Sequence, residues 1–186
     1  MNKFKKVWND YFEGGVAMWS YFGYNYHSYL ITKYILPKIN IPAVGNIIQL
    51  GTGLGTTVEM LCFLFGEDRV VGYDLFNPLL HPNIKFLDTE TTVPLDKNIA
   101  YLEIDVGSVG IDMGHRKKLL DWAIENIRID GYILTNKILV DEIKDNLIRE
   151  YSIIDLNSFD IPELWKNVHE TRLNTKVLLK LGVKNG

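Results

Sequence analysis

An apolar run, Asn46-Ile47-Ile48-Gln49-Leu50, leads directly into Gly51-Thr52-Gly53-Leu54-Gly55-Thr56. Glycine at alternate positions lets the backbone turn sharply, approach a ligand closely and aim the N–H groups of a following helix at it. Nucleotide-like ligands are held by such turns. Asp74 stands about 20 residues further on, after the run Arg69-Val70-Val71-Gly72-Tyr73. At the end of a second strand its carboxylate can accept from both hydroxyls of a ribose. The dinucleotide fingerprint wants Gly or Ala at the position of Thr56, so the spacing argues against a nicotinamide cofactor.

The rest of the chain must position these residues. Short apolar runs alternate with helical patterns, as expected of a parallel sheet buried on both faces. Strands are predicted at 46–50, 69–73, 84–87, 99–104, 132–134, 152–156 and 176–181. Helices are predicted at 56–65, stopped by Gly66, at 115–127 with Leu119, Leu120, Ala123, Ile124 and Ile127 on one face, and at 140–150. The pattern is α/β: a Rossmann-like, doubly wound, mostly parallel seven-stranded sheet with helices on both faces and a closing pair that can run antiparallel.

Residues 1–43 read as an aromatic-rich helical extension ahead of the domain at 44–186. Met18, Phe22, Tyr26, Tyr29 and Lys33 recur at helical spacing before Pro37. Such a segment can act as a lid over a pocket, or pack against the sheet or a second copy of the chain, which makes a homodimer through it an expectation.

Composition narrows the function. The 186 residues fit one domain, and 20 Lys+Arg against 23 Asp+Glu give a net charge of -3 without a basic run, which argues against nucleic acid as partner. The single Cys62 allows neither an internal disulfide nor a cysteine zinc cage and suits a reducing cytoplasm. No apolar stretch is long enough to span a membrane, so no membrane partner is expected.

The glycine turn, Asp74 and the segment Ile129-Asp130-Gly131-Tyr132-Ile133-Leu134 together resemble the class I S-adenosylmethionine-dependent methyltransferases, over about residues 44 to 182. The last segment is similar to the family's turn into its fifth strand, and the two late strands to its antiparallel hairpin. The resemblance implies S-adenosylmethionine as cofactor and S-adenosylhomocysteine as product. Gly51, Gly53 and Gly55, with Gln49 and Thr52, would meet its methionine and ribose parts. Asp74 would bind the ribose hydroxyls, Asp88 would lie near the adenine, and Asp105 would sit at the boundary with the acceptor. The family usually has Asp or Glu where this chain has Gln49, which cannot supply negative charge.

Methyl transfer needs the acceptor held in line with the methyl group and, for some acceptors, a base. Asp105 and Ser108 follow the fourth strand, where ligands of such sheets bind. No Asn/Asp-Pro-Pro-aromatic motif stands there, so the resemblance points to oxygen on a small-molecule acceptor rather than to an amino group of DNA or protein. Asp105 and Asn136 also match two ligands of the metal-dependent O-methyltransferases. Thr135 stands where that subfamily has a second Asp, which makes a divalent metal the weaker expectation. Of His27, His81, His115 and His169, His115 lies in the stretch leading from the fourth strand and is the candidate base, with Asp105 as the other catalytic candidate; His81 is second. Two other readings stand beside this one: a non-catalytic protein of the same fold that binds the cofactor, and an NAD-type oxidoreductase.

Overall fold

The computed structural model describes residues 31–53, 55–75, 80–89, 91–105, 113–137, 140–141, 149–161 and 176–184. The aromatic segment up to residue 30, Ser108 and the 107–112 stretch, and His27 and His169, lie outside them.

Seven strands form one sheet: β1 Asn46–Leu50, β2 Val70–Asp74, β3 Ile84–Phe86, β4 Ile99–Ile104, β5 Ile127–Asn136, β6 Arg149–Ile154 and β7 Lys176–Lys184. Their order is β3-β2-β1-β4-β5-β7-β6. The first five pair in parallel, and β7 runs antiparallel to both β5 and β6. The chain therefore starts at the centre, winds outward to β3, crosses back to β4 and closes with a hairpin. This is the expected doubly wound sheet with its late antiparallel strand.

The two central strands are the most apolar and the most completely covered: every residue of β4, and Ile47 to Leu50 of β1, is buried. Helix α1 Thr56–Phe65 lies on one face, turning Val58, Leu61 and Cys62 inward at the i, i+3, i+4 spacing of one helix face. Gly66 ends it at a positive φ of 91°, its N–H returning to the Cys62 carbonyl at 2.9 Å. Helix α2 Met113–Asn126 covers the other face through Leu119, Leu120, Ala123 and Ile124. A π-helical turn, Ile31–Ile35, and a 3-10 turn, Leu36–Lys38, share the face of α1. Ile31, Ile35 and Leu36 are at most 1% exposed and belong to the same core layer as Ile47, Leu61 and Tyr101.

The structure corrects three element boundaries. The helix expected over 140–150 is helical at Val140 and Asp141, but Arg149 and Glu150 already belong to β6. The charge alternation there reads as a helix face, whereas pairing of Arg149 with Lys184 and of Tyr151 with Leu181 makes it an edge strand. That strand ends at Ile154, and Leu156 starts a 3-10 turn capped by Asp155, whose carboxylate accepts from the Asn157 N–H at 2.9 Å. The fifth strand begins at Ile127 rather than 132, because Ile127 pairs with Ile99 across a register shift. Asp130, inside that stretch, has a positive φ of 61°. No described helix is long and apolar enough to cross a membrane.

Two expectations follow from this packing. Ile35→Ala removes a fully buried side chain from the layer under α1, and should lower stability by about 2–5 kcal/mol in a denaturant titration if residues 31–36 are integral to the core. Burial pushes the Cys62 thiol up to about 12, with Glu59 and Glu67 adding to the shift. Alkylation at pH 8 should therefore be slow in the native protein and become fast at the unfolding transition; rapid labelling of the native state would contradict that environment.

Candidate functional site

The glycine turn sits where the strand order reverses, between β1 and β4, at the carboxyl edge of the sheet. Gly51, Gly53 and Gly55 all have positive φ, at 78°, 53° and 82°. Three left-handed residues at alternate positions are costly for side-chain-bearing residues and ordinary for glycine. The chain thereby folds back on itself: the Gly51 N–H bonds to the Tyr73 carbonyl and the Gly55 N–H to the Thr52 carbonyl, each at 2.9 Å. Gly55 is the N-cap of α1, so the turn delivers the helix amino terminus to the edge of the site.

Asp74 ends β2 and holds this turn. Its Oδ2 accepts the Gly53 N–H at 2.8 Å and lies 3.4 Å from the Thr52 Oγ1, which donates weakly to it. Thr52 is fully buried. It can settle onto β2 because residue 72 is glycine: a Cβ there would lie 2.6 Å from Thr52 Cγ2 and 2.8 Å from Val58 Cγ2. The carboxylate expected to meet a ribose is thus also the anchor of the loop, and an ionised carboxylate has acceptor sites for both tasks.

Beyond Asp74 the structure brings Asp88 to the same edge. Asp88 follows β3 and opens a turn in which its carbonyl takes the Thr92 N–H at 2.8 Å and its Oδ2 takes the Thr91 hydroxyl at 2.7 Å. The next carbonyl, that of Thr89, accepts from His115 Nε2 at 2.8 Å. A carbonyl can only accept, so this nitrogen carries the proton. His115 is buried in the first turn of α2 and ties that helix to the Asp88 turn; only its Nδ1 is left for proton transfer. His81 is likewise committed. Its Nδ1 accepts the Asn83 N–H at 3.1 Å, so Nε2 donates to Glu59 at 3.0 Å, stapling the approach to β3 onto the first turn of α1.

Asp105 stands directly after β4, its N–H on the Leu50 carbonyl at 2.9 Å. Its carboxylate forms a 2.6 Å ion pair with Lys176 Nζ, the side chains being 9% and 4% exposed. Lys176 opens β7 opposite Asn136, the last residue of β5. The sequence reading missed Lys176, since a lysine at a strand end is an ordinary gatekeeper and its partner lies 71 residues away. Next to the pair, a cavity of about 370 Å³ opens over the ends of β5 and β6, lined among others by Lys137, Asp141, Asn157, Lys176 and Val177. Among the described residues no three His, Cys, Asp or Glu side chains converge on one point as a metal site would require.

Gln49 is fully buried, and neither atom of its amide has a hydrogen-bond partner. The residue directly across the pairing is Glu103 of β4, also fully buried. The sequence flags Glu103 as a lone charge inside the apolar run 99–104, but the reading did not include it. Together the left-handed glycine turn, the helix terminus, Asp74 and the orphaned amide form a cradle whose donors and acceptors fit an adenosyl amino-acid ligand.

No protein-family model matches the chain, and a search of curated proteins finds no match. Solved structures do match. An S-adenosylmethionine-dependent methyltransferase from Archaeoglobus fulgidus aligns with 83% of this chain and 93% of its own at 15% identity and a TM-score of 0.52. An S-adenosylmethionine-dependent O-methyltransferase from Thermotoga maritima aligns with 87% of this chain at 13% identity and a TM-score of 0.51, and the match spans 66% of that protein. A third S-adenosylmethionine-dependent methyltransferase, from Clostridium acetobutylicum, aligns with 83% of this chain at 15% identity and a TM-score of 0.41; the chain spans 64% of its length. The strand order, the antiparallel β7 and the shared architecture agree: the chain has the fold of the class I S-adenosylmethionine-dependent methyltransferases.

Proposed function

We propose that the protein is an S-adenosylmethionine-dependent methyltransferase that acts on a small-molecule acceptor, at oxygen. The observation that carries this reading is the three-glycine turn tied by Gly53 N–H to Asp74 at the switch point of the sheet. Ligands of open α/β sheets bind at that point. When bound, the cofactor supplies an electrophilic methyl group. The protein's part is to hold and orient: Gly51 to Gly55 line the amino-acid and ribose parts, Asp74 accepts from the ribose hydroxyls, and the Asp88 turn, clamped by His115, flanks the base.

The acceptor is assigned to the cavity beside Lys176, whose volume is in the range that small ligands fill. Asp105 stands between it and the glycine turn. Its ion pair with Lys176 fixes the carboxylate's direction, so Asp105 orients an acceptor hydroxyl and receives its proton only if the pair loosens. The oxygen preference is supported by what this edge offers: a carboxylate and the free Nδ1 of His115, and no Pro-Pro-aromatic motif to hold an amide or amine plane. A second reading keeps the cofactor and drops the chemistry. It is favoured by the engagement of both catalytic candidates, Asp105 with Lys176 and His115 Nε2 with Thr89. Cytoplasmic location and dimerisation through the aromatic segment remain part of the proposal.

Calorimetric titration with S-adenosylmethionine, S-adenosylhomocysteine and NAD tests the reading: the two adenosyl ligands should bind and NAD should not. Binding of NAD alone would transfer the site to an oxidoreductase. With binding established, methyl release to hydroxylated small molecules separates enzyme from binder. Asp74→Ala removes both the ribose acceptor and the loop anchor, and should weaken S-adenosylhomocysteine binding by roughly 10- to 100-fold, the size of one hydrogen bond to a charged group. Unchanged affinity in a folded variant would remove Asp74 from the ribose site.

A further inference from the structure

Lys176 opens β7 opposite the last residue of β5, at the edge of the sheet where side chains usually meet water, yet its side chain is only 4% exposed. Taking an ammonium out of water is costly unless the group is both paired and hydrogen-bonded. Its Nζ carries three N–H donors and no acceptor. Among the described residues one of the three is used, towards Asp105 Oδ1 at 2.6 Å. The other two call for oxygen acceptors, and Lys176 stands in the wall of the 370 Å³ cavity.

The charged side chains in that wall are Lys137, Asp141, Asp155 and Lys176. Lys137, Asp141 and Asp155 are exposed, and the Asp155 carboxylate caps the turn at Leu156–Ser158 through the Asn157 N–H. Solvent screens these three, whereas Lys176 acts at short range in a dry setting. Asp105 does not cancel it for a ligand. An oxygen on the far side of the ammonium lies about 3 Å from the positive charge and about 5–6 Å from the carboxylate, so attraction exceeds repulsion. A hydroxyl placed there is pushed towards its ionised form, because a nearby positive charge favours the anion.

We propose that Lys176 holds the acceptor oxygen as an oxyanion, and that the acceptor is therefore a phenol or an enol, a hydroxyl acidic enough to ionise near neutral pH beside an ammonium. This rests on the methyltransferase reading above and deepens it. Both candidate bases are engaged, His115 Nε2 with Thr89 and Asp105 with Lys176. An acceptor that releases its proton to solvent on binding needs neither. A lone pair of the oxyanion forms the O–C bond while the C–S bond of the sulfonium breaks and its electron pair goes to sulfur. Anion and sulfonium become two neutral products, and the Asp105–Lys176 pair stays intact. An aliphatic alcohol, which keeps its proton at this pH, is not an acceptor on this account.

The probe is 4-nitrophenol, whose neutral and ionised forms absorb at different wavelengths. Bound to the protein it should ionise about one pH unit or more below the free probe, a tenfold preference for the anion. Lys176→Met should abolish that shift and Lys176→Arg should keep it. Because Lys176→Met takes the cation away from a buried carboxylate and can unfold the chain, Lys176→Met combined with Asp105→Asn serves as the second variant, with the same loss expected. Asp105→Asn alone should enlarge the shift, since the ammonium is no longer shared. A pair that served packing alone would move both single variants in the same direction. An unchanged midpoint in the unaltered protein, through neutral binding or none, or a shift that survives loss of Lys176, overturns the proposal. Titration of the same preparation with S-adenosylhomocysteine keeps the two readings apart. Its binding without a nitrophenol shift removes the oxyanion site alone, whereas the shift without its binding removes the methyl-transfer reading and leaves an anion site at Lys176.

Discussion

The centre of this protein is defined by the complete burial of β1 and β4 on both faces. Two adjacent parallel strands sealed by α1 and the 31–38 turns on one side, and by α2 on the other, leave their polar business to be done at the carboxyl ends. The glycine turn and the acids expected at the site stand at such an end or just after it. The glycine turn follows β1, Asp74 ends β2, Asp88 follows β3 and Asp105 follows β4. The reversal of chain direction across the sheet between β1 and β4 opens the gap that a ligand can enter. Nothing about the site is independent of that seal, since loosening either face would let water compete for the same backbone donors.

Electrostatics at the edge are tightly committed. The Asp74 carboxylate holds the loop through Gly53, and Asp105 is neutralised by Lys176 in a setting where neither side chain is more than 9% exposed. A buried pair of this kind contributes little net stability compared with an apolar replacement, yet breaking it leaves an uncompensated charge. Its value here is directional. It ties the start of β7 to the end of β4 across β5, and so fixes the wall of the cavity relative to the glycine turn.

Much of this was legible in the sequence. Glycines at 51, 53 and 55 have a physical requirement behind them, a left-handed turn, and the structure shows it; that Asp74, read as a ribose acceptor, also anchors this turn through the Gly53 N–H came only from the structure. The apolar runs of β1 and β4 announced strands buried on two sides. What could not be read is what depends on distant pairing. Arg149 and Glu150 have helical charge spacing and became strand because β7 offered its edge. His115 looked like a base because its neighbours lead away from β4, but its Nε2 is bound to a carbonyl 26 residues earlier in the chain. Lys176 gave no signal at all until Asp105 was beside it.

Position 49 shows the same limit from the other side. Read along the chain, glutamine there is a loss of charge at the place where a cationic ligand is expected. Read across the sheet, the neighbouring residue is a glutamate, and both are sealed in one layer. A sheet has two directions, and only one of them is written in the order of residues.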